Sequence, residues 1–327
     1  TALWVRFQIE NNSTSNKMLT LAVGSVFVDR IDVFLLDEQG RITQSARSLD
    51  QQNNALKISK RNFTIYILSR AESNYTVYIR VQDDGRTILP LRLWQTDVYA
   101  HQSSVRLILL GAMSGGLALL ATYFLLTYVL RSTPARFWFC LLAVGGMTTM
   151  LSAEGILPVL FLVPSLTAEL TGLSLVVTFF SAIKIARIVF EPMSVWWLRA
   201  HYFLLTIPLI GVFVLSDFLQ LCLLIGFSLM FFVSMLIATV VYRKGVDIRS
   251  TAIYFLGWII LGFVGFIEFV DFLNSTGYKH YSTPFPFVLT CMGIMLIGVA
   301  IISREQSLQT SRIVKQGEQI DELQKFN

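Results

Sequence analysis

The pattern of apolar and polar positions changes character once, near residue 105. Before it, short apolar runs alternate with polar residues; after it, seven long apolar stretches follow one another as far as residue 303. At the start, Leu3-Trp4-Val5-Arg6-Phe7-Gln8-Ile9-Glu10 alternates strictly. A strand with that pattern turns Leu3, Val5, Phe7 and Ile9 to one side and Trp4, Arg6, Gln8 and Glu10 to the other. Further strand-like runs cover residues 18–23, 30–36, 63–68, 75–81 and 88–94, separated by the turn signals Asn11-Asn12-Ser13, Asp37-Glu38-Gln39-Gly40 and Asp83-Asp84-Gly85. Short strands joined by polar turns, with no amphipathic helix between them, predict an all-β jelly-roll sandwich over residues 1–104. The polar, weakly patterned residues 41–62 predict a long loop.

A helix crosses the hydrocarbon core with roughly 20 apolar residues. The stretches 105–130, 136–153, 167–189, 201–216, 218–242, 251–273 and 285–303 therefore predict an all-α, seven-helix transmembrane bundle over residues 105–303. The fourth and fifth spans are separated only by Ser216-Asp217-Phe218, a tight hairpin. Beyond Arg304 the chain turns polar but stays rich in helix formers. A heptad frame runs through Ile302, Ile313, Ile320 and Leu323, with Gln306, Gln309, Gln316 and Asn327 at its other core positions. Residues 304–327 are expected to continue the seventh span as a cytoplasmic signalling helix with a weak parallel dimer seam, a partial coiled coil; an ordinary solvated tail is the competing reading. Thr1 follows no basic-then-apolar leader, and the pattern at Asn327 is mid-helix. The expectation is a fragment: a signal peptide and early strands ahead of it, which truncates the sandwich, and an output module behind.

Loop charges orient the bundle. One side carries Arg131 and Arg136, then Lys184, Arg187 and Arg199, then Arg243, Lys244 and Arg249, then Arg304; the other side carries only Lys279. The positive-inside rule puts the head outside and the C-terminus in the cytoplasm. Trp138, Trp196, Trp197 and Trp258 include interface anchors, Trp196-Trp197 most clearly. Composition agrees: 54% of residues are hydrophobic and 14% charged, against about a quarter charged in soluble domains, and mean hydropathy is +0.62. The net charge of +5 sits largely in short inter-span loops, so it is no nucleic-acid signal. Cys140, Cys222 and Cys291 all fall in apolar stretches, where cysteine behaves as a small hydrophobe and implies no disulfide framework.

No catalytic, metal or cofactor site is expected. The three histidines, His101, His201 and His280, lie in no phospho-acceptor or metal-ligand spacing, and no nucleotide-loop, serine-hydrolase, zinc-helix or C-x-x-C motif occurs. Residues 285–303 contain no lysine, which excludes a retinal Schiff base on the last span. Glu268 and Asp271, at i, i+3 on one face near the outer end of the sixth span, are candidates for transduction, receiving a signal from the head or pairing with Lys279; contact with interface water is the alternative. Lys184 and Arg187 are expected to snorkel at the inner end of the third span, and Gly115-Gly116, Gly145-Gly146 and Gly257-x4-Gly262-x2-Gly265 to pack helices closely. In the head, Trp4, Arg6, Tyr78, Arg80 and Trp94 form a candidate ligand-binding set, in which aromatic faces stack on a sugar or other polar ligand while arginines donate hydrogen bonds. Tryptophans plugging the sandwich edge and arginines paired across strands are the alternative.

These features resemble one family. Trp4-Val5-Arg6-Phe7-Gln8-Ile9-Glu10-Asn11, Arg30-Ile31-Asp32-Val33-Phe34-Leu35-Leu36, Arg61-Asn62-Phe63 and Tyr78-Ile79-Arg80-Val81 resemble the larger of two extracellular sensor types found in bacterial seven-transmembrane receptors with diverse intracellular signalling modules. The turn from Arg131 to Arg136 resembles the first hairpin of that family, and the helix after Arg304 its linker. The resemblance implies a jelly roll similar to carbohydrate-binding modules, a multi-pass protein of the bacterial inner membrane, a glycan or other small ligand and a homodimer. It also implies an output module of histidine kinase or cyclic-di-GMP type, with no enzyme in this stretch itself. A transporter or channel with an accessory β domain, an intramembrane enzyme and a structural dimerisation head without ligand are the competing classes. The first predicts internal repeats and midplane polar groups, and the second a nucleophile or metal group at depth; neither is visible in the sequence.

Overall fold

A computed structural model of the chain describes residues 2–23, 30–47, 63–82, 91–154, 156–157, 167–190, 193–215, 217–242, 246–273 and 285–325. The strict alternation near the start becomes strand β1 (Ala2–Asn11), whose Val5, Phe7 and Ile9 turn towards the core while Leu3, at the open end, stays exposed. β1 pairs antiparallel with β6 (Ser73–Gln82), from Ala2 opposite Gln82 to Asn11 opposite Ser73. β3 (Arg30–Leu36) pairs on the other side of β6, and β4 (Ile42–Arg47) on β3, giving a four-stranded sheet in the order β1-β6-β3-β4. A second sheet has β2 (Lys17–Val23) between β5 (Phe63–Ser69) and β7 (Leu91–Gln95). Ile9, Ile31 and Val77 of the first sheet share one buried core with Leu21, Ile65 and Ile67 of the second.

β4 occupies part of the segment expected to be a long loop. Its sequence, Ile-Thr-Gln-Ser-Ala-Arg, has no buried alternating face because it is an edge strand, held through one neighbour. The turn before it is specified locally: the Asp37 Oδ1 accepts the backbone N–H groups of Gln39 and Arg41 at 3.0 and 2.8 Å, and Gly40 takes φ +75°. Of the other two expected turns, Asp83-Asp84-Gly85 lies outside the described residues, and Asn11-Asn12-Ser13 is fixed by Asn11, itself buried. Its Nδ2 donates to the carbonyls of Ser15, Ser69 and Arg70 at 3.1, 3.3 and 2.8 Å, and its Oδ1 accepts from Ser13 N at 3.2 Å. Replacing Asn11 by Ala strips buried carbonyls of their donor and will lower the stability of the head by about 2 kcal/mol. Thermal unfolding of the purified chain checks this, and an unchanged transition would mean that water replaces the amide.

The polypeptide leaves the head without a loop. β7 ends at Gln95 and helix α1 (Thr96–Arg131) starts at the next residue, ahead of the first apolar stretch at Val105. Residues 96–104 carry no apolar run, so hydropathy cannot reveal that they are helical, but Asp97 in the first turn suits the positive end of a helix dipole. Thr20 Oγ1 of β2 bonds Thr96 Oγ1 at 3.0 Å and ties that helix start to the second sheet. α1 closes at Ser132, in the left-handed conformation with its N–H on the Tyr128 carbonyl, and Pro134 opens α2 (Pro134–Ala153). Next come α3 (Thr167–Val189), α4 (Val195–Val214), α5 (Asp217–Val241), α6 (Ile248–Leu273) and α7 (Phe285–Lys325). Asp247 caps α6, and the hydrogen bond from the Ser250 backbone holds its carboxyl below the usual carboxylate range.

Among the described residues, α1, α2, α3, α4, α6 and α7 are long and apolar enough to cross a membrane; in α5 the described apolar run is the shorter Gly226–Val241. Phe139 and Ala143 of α2, Ala186 of α3, Met235 of α5, Trp258 of α6 and Ile297 of α7 share one buried core. Close helix approach occurs at Gly145, beside Thr178, and at Gly257, against the Gly293 carbonyl. Gly115 and Gly116, in contrast, face open space, because α1 packs through Leu110, Leu117, Ala121 and Phe124 and turns its glycines away. α7 runs unbroken past the apolar stretch to Lys325, with Ile313 and Ile320 exposed.

Candidate functional site

Alternation that buries one face of a strand necessarily presents the other, and three adjacent strands do so together. Register places Trp4 of β1 opposite Arg80 of β6, and Arg80 opposite Asp32 of β3. In the neighbouring row Arg6 lies opposite Tyr78, and Tyr78 opposite Phe34. Antiparallel partners share a face, so these six side chains stand in a two-by-three block on the outer side of the four-stranded sheet.

The block is an interleaved lattice of cations and rings. The Arg80 guanidinium carbon lies 6.0 Å from the Trp4 ring centroid, and that of Arg6 lies 5.7 Å from the Tyr78 ring. Trp4 and Phe34 stack with centroids 6.2 Å apart and planes 24° apart. Arg80 Nη1 is 3.7 Å from Asp32 Oδ2, and Asp32 is only 2% exposed although it stands on the outer face. Trp4 is 55% exposed. The chemistry on offer is a flat, open aromatic platform flanked by guanidinium donors, one of them positioned by a buried carboxylate. Such a surface stacks on the apolar face of a ring-shaped ligand and donates to its hydroxyl or carboxylate oxygens.

Four of the five residues singled out in the sequence are therefore brought together. Trp94 is not: it lies on β7, opposite Thr20, in the other sheet, where the Arg92 guanidinium sits 6.0 Å from its ring. The two sheets share one core, so Trp94 is on the opposite outer face of the sandwich. Asp32 and Phe34 complete the block and escaped the sequence reading. The signal was there in one respect, since an aspartate within the apolar run Arg30–Leu36 must sit on the side away from Val33 and Leu35. That β3 neighbours β6 was not readable from it. Glu268 and Asp271 both lie on α6 near its end, three residues apart as expected, but their side chains, like Lys279, lie outside the described residues.

The first helical hairpin meets α7 at both ends, through a cation–ring contact near the head and an ion pair at the far end. At the end nearest the head, Arg106 of α1 pairs with Glu154, which caps the C-terminus of α2, and its guanidinium lies 5.9 Å from the ring of Phe287 in α7. At the far end, Arg136 of α2 reaches Glu305 of α7, with Nε 3.3 and 3.1 Å from the two carboxylate oxygens, while Nη1 donates to the Thr127 carbonyl of α1 at 3.4 Å. α1, α2 and α7 are thus tied at both ends.

No curated protein matches the chain. Residues 1–95 match the family described as 7TMR-DISM extracellular 2, and the match stops at the residue where β7 passes into α1. With that extracellular sensor domain in front and helices able to span a membrane behind it, the chain fits a 7TMR-DISM receptor, a membrane protein whose N-terminal domain lies outside.

Proposed function

We propose that this chain is the sensing and membrane-spanning part of a bacterial receptor that binds a carbohydrate-like ligand on the block of Trp4, Arg6, Asp32, Phe34, Tyr78 and Arg80. The head is a jelly roll and α1 to α7 form seven spans; the full run of α5, Asp217–Val241, is long enough to cross. Seven spans and the loop charges put the end of α7 in the cytoplasm of an inner-membrane protein. There Ile313 and Ile320 meet a second copy in a weak parallel coiled coil that leads to an output module of histidine kinase or diguanylate cyclase type. The observation that carries this reading is the absence of a loop between sensor and membrane: β7 becomes α1 at Thr96, α1 meets α7 through Arg106 and Phe287 near the head, and α2 is tied to α7 through Arg136 and Glu305 at the far end. A ligand shifts such a device only by binding one of its states more tightly than the other.

Titration of the purified full chain with a panel of neutral sugars and uronic acids, read by tryptophan fluorescence and calorimetry, tests the ligand face. Trp4→Ala will weaken binding roughly tenfold, the loss of one aromatic stacking contact, and Trp94→Ala will leave it unchanged. The opposite order, or no effect of either, places the site elsewhere.

A further inference from the structure

Lys184 lies near the head-distal end of α3. The expectation was a stem stretched out to the interface. Instead its Nζ sits 5.2 Å from the ring centroids of Phe180 and Tyr202 and 5.5 Å from that of Trp138, boxed by rings from α2, α3 and α4. Ring faces stabilise the charge but do not take the place of anionic acceptors for its three N–H donors. Among the described residues no acceptor is bonded to this ammonium. One turn closer to the same end stand Arg187 on α3 and Arg199 on α4, the latter three residues before Tyr202; both are exposed. Arg199 lies against Trp196, its guanidinium carbon 5.9 Å from the ring, and Trp196 is 79% exposed, as an interface anchor would be. The carboxylates described at this end are engaged elsewhere, Glu305 with Arg136 and Asp247 with Ser250. Three cations therefore stand near one end of α3 and α4, one of them partly withdrawn from solvent, with no described carboxylate bonded to them.

We propose that the head-distal end of the α3–α4 pair holds the headgroup phosphate of an anionic phospholipid, with Lys184 as its deeper contact and Arg187 and Arg199 nearer the end of the helices. A lipid is the occupant because these cations stand at the end of two helices long enough to cross a membrane, beside the exposed Trp196, where a tethered phosphate is already at hand. The inference rests on α3 and α4 crossing the bilayer, not on which side this end faces.

The test is binding of short-chain phosphatidylglycerol to the full chain in neutral detergent, read by tryptophan fluorescence and by lipid retention in native mass spectrometry. Phosphatidylglycerol will bind, more weakly as salt rises; phosphatidylcholine will not bind at the same concentrations, and inorganic phosphate will not compete. Each charge removed will cost about fivefold in affinity, so Arg187→Gln/Arg199→Gln will weaken binding roughly twenty-fivefold and Lys184→Gln about fivefold. The two arginines are exposed, so the double variant decides the matter even if Lys184→Gln does not fold. Unchanged binding by the double variant, equal binding of phosphatidylcholine, or full competition by phosphate would each overturn the assignment. Release of the chain from membranes by alkaline carbonate would instead disprove the membrane-spanning reading beneath it.

Discussion

Glu305→Ala will lower the unfolding free energy of the helical domain by about 3 kcal/mol, because it leaves a buried guanidinium without its counter-charge. Arg136 is only 7% exposed and gives two of its nitrogens to the Glu305 carboxylate. One further contact, to the Thr127 carbonyl, is long at 3.4 Å and cannot replace the lost anion. The reverse variant, Arg136→Ala, will cost less, since the Glu305 side chain is 18% exposed and its carboxylate can turn to water. Exchange of the two, Arg136→Glu with Glu305→Arg, will recover part of the loss, and a double-mutant cycle on the thermal unfolding of the purified chain isolates the coupling. A coupling near zero in that cycle would show that the pair adds no more than a solvated surface contact.

Gly257→Val will be comparably damaging for a steric reason. A Cβ at Gly257 would lie 3.0 Å from the Gly293 carbonyl oxygen, 3.0 Å from Ile297 Cγ1 and 3.4 Å from Ile297 N. Two of those three obstacles are backbone and have no rotamer to escape into, so α6 and α7 must separate. Overpacking of that kind costs about 3 kcal/mol. Gly115→Val is the control: a Cβ at Gly115 meets nothing within 4 Å, and its unfolding midpoint will match the parent. A Gly257→Val chain as stable as the parent would mean that the two helices are not packed against each other there.

What sequence pattern revealed and what it hid divide along one physical line. Within an element, period and composition were enough: alternation in β1 gave the core face, and apolar length gave the helices. Between elements, pattern is silent. β1, β6 and β3 are neighbours although far apart in sequence, so Trp4, Tyr78 and Arg80 could be grouped by residue type but Trp94 could not be separated from them. Asp32 and Phe34 were missed for the same reason. Arg136 and Glu305 stand 169 residues apart, each readable alone as a loop cation and a helix former. Lys184 looked like a snorkelling residue because the rings around it come from three helices. β4 and the first turns of α1 were hidden differently. Both are regular backbone clothed in polar side chains, where hydrogen bonding rather than burial sets the structure.

Passage of a signal from the outer face of the head to the end of α7 is tested most directly by a fusion. A cyclase or kinase of known activity, joined after residue 327, is assayed in membranes with the sugar that the titration identifies. Output will change on addition of that sugar, and Trp4→Ala will shift the response to higher concentration while basal activity stays the same. Output that ignores every ligand bound by the head, and is equally unmoved by deletion of the head, would contradict transduction through these helices.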